Sequence, residues 1–115
     1  MAKVKLTARK LGGTEAGFTT AVIAYARLMG WKAHHQRPAR TRDGWRTAVS
    51  GDGKGFLDLV LCRERVVFAE LKTDRGRLTP EQKMWVGWLT AAGQEVHVWR
   101  PENWPEIERV LGRLP

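Results

Sequence analysis

The chain has 115 residues, 43% of them hydrophobic and 28% charged, which fits one ordinary globular domain with no need of a second and excludes a disordered or fibrous chain. Twenty Lys and Arg against twelve Asp and Glu give a net charge of +8, which biases the surface towards polyanions such as nucleic acid or acidic lipid. The single Cys62 excludes an intramolecular disulfide and a Cys-rich zinc cluster, so metal ligands would have to be carboxylates or imidazoles.

No stretch reaches the roughly 18 apolar residues of a membrane span, and the first residues lack the apolar core of a signal peptide, so a cytoplasmic protein with no membrane partner is expected. Thr14 before Glu15 reads as a helix N-cap, and Phe18, Val22, Ile23, Ala26 and Met29 recur at helical spacing up to Gly30, predicting a helix over about 15–29. Residues 31–37 read as a strand. The segment of about 38–55 concentrates Pro, Gly, Asp and Arg without periodicity and reads as a mobile basic loop, with a short strand at 45–49.

Residues 56–62 and 66–72 are β-rich runs joined by Arg63, Glu64 and Arg65, the pattern of a hairpin. Their near-continuous apolar character places them centrally in a sheet with both faces covered, and Cys62 inside such a run reads as a buried core thiol. Thr79 is a predicted N-cap with Pro80 at the first helical position, and Met84, Trp85, Trp88, Leu89 and Ala92 form one apolar face ending at Gly93. Residues 95–100 are the next strand. A strand, helix, strand succession implies a right-handed parallel crossover back to the strand carrying Glu70. A short helix at about 105–111 closes the chain. The six tryptophans are expected mostly in the core, with Trp45 in the loop free to stack on a base.

Side chains two apart on a strand share a face, so Glu70 and Lys72 project together. If the hairpin pairs Cys62 with Val66, the same register sets Asp58 opposite Glu70. Opposed Cβ atoms lie about 5 Å apart, and two like charges at that distance repel by about 3 kcal/mol at an effective dielectric of ~20. A bound hard divalent cation such as Mg²⁺ resolves the repulsion, polarises a phosphate and acidifies a water, while Lys72 orients that water or stabilises developing charge. A salt-bridged strand pair with no ligand has the same spacing, so spacing alone leaves both readings open.

Gly55-x-x-Asp58, Glu70-x-Lys72, Gly76-Arg77-Leu78-Thr79 and Gln82 ahead of Trp85 follow one another in order. In these motifs the stretch from Gly55 to Pro101 resembles the core of the VRR-NUC family, a branch of the PD-(D/E)XK nuclease superfamily, and residues 14–31 match it more loosely. The resemblance implies an α/β fold with a restriction-endonuclease-like core, a mixed central sheet flanked by helices in the order αβββαβ, as one domain of a stand-alone phage or bacterial type. It implies that Asp58, Glu70 and the backbone carbonyl of Leu71 bind Mg²⁺, with Mn²⁺ able to substitute, that Lys72 is the catalytic lysine, and that Glu15 and Gln82 support them. Many relatives carry Pro where this chain has Leu57, which bears on the local backbone shape.

Read from the residues alone, Glu15 is also an acid suited to a helix N-terminus and Gln82 also the third position of a capping box with Thr79. His34 and His35, adjacent on a strand, face opposite ways, so at most one approaches the site. Arg37, Arg40, Arg42, Arg46 and Lys54 precede Asp58, and Arg75 and Arg77 follow Lys72, a bracket of positive charge suited to a phosphate backbone rather than to base edges. The expected activity is a Mg²⁺-dependent endonuclease acting on DNA by structure, as some relatives do at branched DNA, in a homodimer that presents two sites. A non-cleaving nucleic-acid-binding module and an RNA-processing nuclease are the competing classes.

Overall fold

The computed structural model describes residues 14–36, 39–42, 44–46 and 49–112. Thr14 is extended and its side chain accepts the Gly17 N–H, which starts helix α1, Glu15–Leu28. Phe18, Val22, Tyr25 and Ala26 form its buried face, and Gly30 ends the helix with a φ of 91° that a side chain would resist. Helix α2, Pro80–Ala91, opens on the predicted capping box at Thr79, and the short helix α3, Trp104–Gly112, follows a 3-10 turn at Pro101–Asn103.

Strands β1 (Lys32–His35), β4 (Leu59–Cys62), β5 (Val66–Leu71) and β6 (Glu95–Trp99) make a four-stranded sheet in the order β1-β4-β5-β6. The first two pairings are antiparallel. β6 runs parallel to β5, with α2 as the crossover, as the strand, helix, strand succession requires. Cys62 pairs with Val66 and Leu59 with Ala69, the expected register. The protein is thus mixed α/β, a mixed sheet flanked by helices, and along the main sheet the order is helix, three strands, helix, strand. Among the described residues no helix is long and apolar enough to cross a membrane.

Leu59, Leu61, Val67, Ala69 and Leu71 alternate onto one sheet face and are buried with α1, α3, Trp31 and Trp99. At the hairpin end, Arg63 donates to the carbonyls of Met29 and Leu111 and lies over the Trp31 ring, and Arg65 donates to Glu95 and the Val110 carbonyl. These two arginines tie the ends of α1, α3 and β6 together. They are structural cations.

Four expectations need correcting. A hairpin of β2 (Ala39–Thr41) and β3 (Gly44–Arg46) forms a separate two-stranded sheet within the segment read as a loop, β3 overlapping the short strand expected at 45–49 and β2 not foreseen. The opposite face of the main sheet is only half covered: Phe56 packs edge-on against Phe68 and Trp85, but cover stops there, and Cys62 and Val66 one pair further along are exposed. Cys62 is therefore not a core thiol. Helix α2 buries none of its residues fully, and Met84 and Trp88 are 50% and 48% exposed, because its apolar stripe is wider than the sheet surface it covers. Of the tryptophans, Trp31, Trp99 and Trp104 are core, Trp85 is half-buried and Trp88 is exposed.

Candidate active site

The β4–β5 ladder ends one rung before Asp58. The Arg63 N–H bonds to the Arg65 carbonyl at the turn, and the alternation of an antiparallel pair then makes Leu59 with Ala69 a hydrogen-bonded rung and the next position, Asp58 opposite Glu70, one where side chains lie closest. Each acid takes hold of the other strand's backbone. The Asp58 N–H donates to Glu70 Oε1 (3.2 Å), and Asp58 Oδ2 accepts the Leu71 N–H (3.0 Å). The Lys72 N–H points the other way, to the Trp99 carbonyl on β6 (3.0 Å), so the intervening Leu71 directs both its N–H and its carbonyl to the edge β4 has just left.

Glu70 is fully buried. Lys72 Nζ stands 3.5 Å from Glu70 Oε2, and that oxygen also accepts the Gln82 side-chain amide at 2.8 Å. Gln82 completes the predicted capping box, its amide oxygen accepting the Thr79 N–H (2.9 Å), and its nitrogen at the same time faces Glu70. Burial, and next the charge of Asp58, push the Glu70 carboxyl up to about 8, against the opposing pull of Lys72.

Gly55 explains why the segment before Asp58 reaches this place. Its φ is +82°, and a Cβ there would come within 2.5 Å of Glu81 Cβ, 2.7 Å of the Glu81 carbonyl carbon and 2.9 Å of the Gln82 nitrogen. Backbone thus lies directly on the start of α2. Trp85 pins the same segment by donating to the Asp52 carbonyl (2.8 Å).

No protein-family model matches the chain, and no curated protein matches it either.

The donor set has to be judged on its own geometry. Among the described residues no group of three or more His, Cys, Asp or Glu is arranged to hold a metal ion. What Asp58, Glu70 and Leu71 offer is two carboxylates and one backbone carbonyl aimed at one strand end. That is an all-oxygen set, and it fits a hard cation that keeps several of its waters. Asp58 Oδ1 accepts no hydrogen bond from the described residues.

Glu15 makes no hydrogen bond or ion pair with Asp58, Glu70 or Lys72. It is exposed at the start of α1, the helix covering the other sheet face, where it lines a groove of about 790 Å³ with Thr19, Thr20, Ile23, Arg27 and His35. His35 pairs with Leu59 and so belongs to that face too, whereas His34 pairs with Val60 on the side of Asp58 and is exposed. Arg75 and Arg77 are exposed on the loop leaving Lys72. Lys54 is exposed with its ammonium 3.9 Å from Glu81, and Arg42 is exposed at the tip of the β2–β3 hairpin. Arg40 and Arg46 lie on that hairpin's strands, their side chains outside the description, and Arg37 lies outside the described residues.

Two residues of the site carried no signal in the sequence reading. Gln36 donates its N–H to the Asp58 carbonyl (3.0 Å), and Arg100 Nη1 donates to the Thr73 and Gly76 carbonyls of the loop after Lys72. Both act on backbone, which no side-chain pattern reports.

Proposed function

We propose that the protein is a Mg²⁺-dependent endonuclease with a restriction-endonuclease-like core, hydrolysing DNA phosphodiester bonds with selectivity for DNA structure rather than sequence. The observation that carries this reading is a fully buried Glu70 facing a second carboxylate, Asp58, with Lys72 and Gln82 converging on the same oxygen. With both acids ionised, two carboxylates and one ammonium leave one net negative charge where burial makes it costly, which is why Glu70 holds its proton in the absence of a cation. A divalent cation turns the cluster's charge to plus one, and a phosphodiester then neutralises it.

Asp58, Glu70 and the Leu71 carbonyl would hold the ion, which supplies Lewis-acid polarisation of the phosphate and acidifies a water. Gln82 and the Asp58 N–H fix the Glu70 carboxylate in one orientation, so little reorganisation accompanies binding. Lys72, anchored on Glu70, is placed to orient the attacking water or to stabilise charge developing on the phosphate. Arg75 and Arg77 beside Lys72, with Lys54 and Arg42, supply sequence-independent phosphate contacts. A symmetric dimer would present two sites to a branched substrate.

The testing experiment offers labelled linear, flapped and four-way DNA, and RNA of matching sequence, to the wild type with Mg²⁺, with Mn²⁺ and with chelator. Metal-dependent cutting of branched DNA above linear DNA is expected. Cutting of RNA alone would make it an RNA-processing nuclease, and binding without cutting under either metal would make it a non-cleaving module.

A further inference from the structure

We infer that Arg100 is a positioning residue for Lys72, acting through the turn that follows it; the inference rests on the nuclease reading of the site. Arg100 is half-buried at the end of β6, directly after Trp99, the residue paired with Leu71. Its own N–H is held by Asn103 Oδ1 at 2.7 Å, so its backbone is fixed by the 3-10 turn. From there a single nitrogen, Nη1, donates to both the Thr73 and the Gly76 carbonyls, each at 2.6 Å. Charged donors make the stronger hydrogen bonds, and these two close a turn that otherwise has only the Gly76 N–H bonding to Thr73, at 3.2 Å to its carbonyl and 3.1 Å to its hydroxyl.

The turn reaches Lys72 directly. Thr73 follows Lys72 in the chain, and Gly76 lies beside the lysine: a Cβ added there would meet Lys72 Cδ at an ordinary contact distance of 3.5 Å. On its other side the Lys72 backbone is bound to the Trp99 carbonyl. The Lys72 backbone is therefore held between a bond to β6 and a turn that Arg100 clamps shut, and its ammonium arrives 3.5 Å from Glu70. Without the clamp the turn that follows Lys72 is free to shift, and small misplacements of a catalytic group cost large factors in rate. The same clamp sets where Arg75, inside the turn, leaves the surface.

The test is a double-mutant cycle read by single-turnover cleavage at saturating branched DNA and Mg²⁺, joined to amide hydrogen exchange. Arg100→Ala is expected to lower the rate about tenfold or more while DNA affinity stays within about threefold and its salt slope is unchanged. Combined with Lys72→Met it adds no further loss, because both changes remove the same contribution. Arg100→Lys, which keeps a cationic donor, recovers part of the rate. In Arg100→Ala the Gly76 amide exchanges faster while the β5 and β6 amides keep their protection, which separates an opened turn from a failed fold. A rate loss that multiplies with that of Lys72→Met would overturn the inference. So would a salt slope reduced by about one, the mark of a direct phosphate contact, or a Gly76 amide as protected as in the wild type. A wild type inert towards every DNA, with Gly76 deprotected on Arg100→Ala, would overturn the nuclease reading and leave the clamp.

Discussion

Glu70→Gln removes an ionisable group from the centre of the site while keeping its size, and its effect on stability has a sign that depends on pH. Burial and Asp58 raise the Glu70 carboxyl from 4.5 to about 8, so the native state binds this proton more tightly than the unfolded chain does. The associated stability is fully present below about 4.5 and is lost as pH rises through about 8. At 1.36 kcal/mol per pH unit the loss amounts to at most roughly 5 kcal/mol, less whatever the flexible Lys72 regains by drawing closer. Glutamine has no such loss. It does present an amide nitrogen either to the Asp58 N–H or to the Gln82 amide and Lys72 ammonium, and leaving a donor there without an acceptor costs about 1–2 kcal/mol. In chelator, therefore, the variant should be slightly less stable than the wild type near pH 5 and roughly 3 kcal/mol more stable near pH 9, a difference of about 10 °C in Tm for a domain of this size. Urea unfolding of both proteins from pH 5 to 9 measures it, since every other titrating group is common to the two. Stability curves that stay parallel over the whole range would refute the claim that Glu70 is held against its charge.

Three further outcomes follow from the same geometry. Mg²⁺ should raise the Tm of the wild type and hardly move that of Asp58→Ala, because the stabilisation comes from ion binding between the two acids; equal shifts, read by calorimetry, would place the ion elsewhere. Lys72→Met should lower single-turnover cleavage by roughly a hundredfold with DNA affinity unchanged, whereas weaker binding at an undiminished rate would make Lys72 a phosphate contact only. Gly55→Ala must either adopt its left-handed backbone or push α2 away, since the new Cβ meets backbone at 2.7 Å. It should cost roughly 2–4 kcal/mol in urea unfolding and reduce cleavage by loosening Gln82 from Glu70. A variant as stable as the wild type would show that the approach of the two segments is not tight.

Much of the site was legible because it depends on local register. A three-residue turn after Cys62 forces Asp58 opposite Glu70, and Thr79, Pro80 and Gln82 announce both the start of α2 and the amide that reaches the acid. The pairing of β6 with β5 likewise follows from an intervening helix of ordinary length. What was not legible depends on how far one element extends over another. Cys62 and Trp88 sit in apolar runs, yet both lie beyond the surface that Phe56, Phe68 and Trp85 bury together. Glu15 lies at a helix start like many acids, and nothing local states which sheet face that helix covers. The β2–β3 hairpin had a signal in Asp43-Gly44, with Gly44 at a φ of 103°, but its short strands lack the alternation that makes such a turn persuasive. Arg100 acts on carbonyls 24 and 27 residues away, a relation no sequence window contains.

The measurement that bears most directly on the central claim is plasmid nicking by the wild type and by Glu70→Ala, each checked for DNA affinity under the same salt. The wild type is expected to nick in Mg²⁺ and not in chelator, and Glu70→Ala not at all, with the two proteins binding DNA within a few-fold because the Arg and Lys surface is untouched. Nicking by Glu70→Ala at the wild-type rate, or a wild type that binds DNA and never cuts it in Mg²⁺ or Mn²⁺, would contradict the claim.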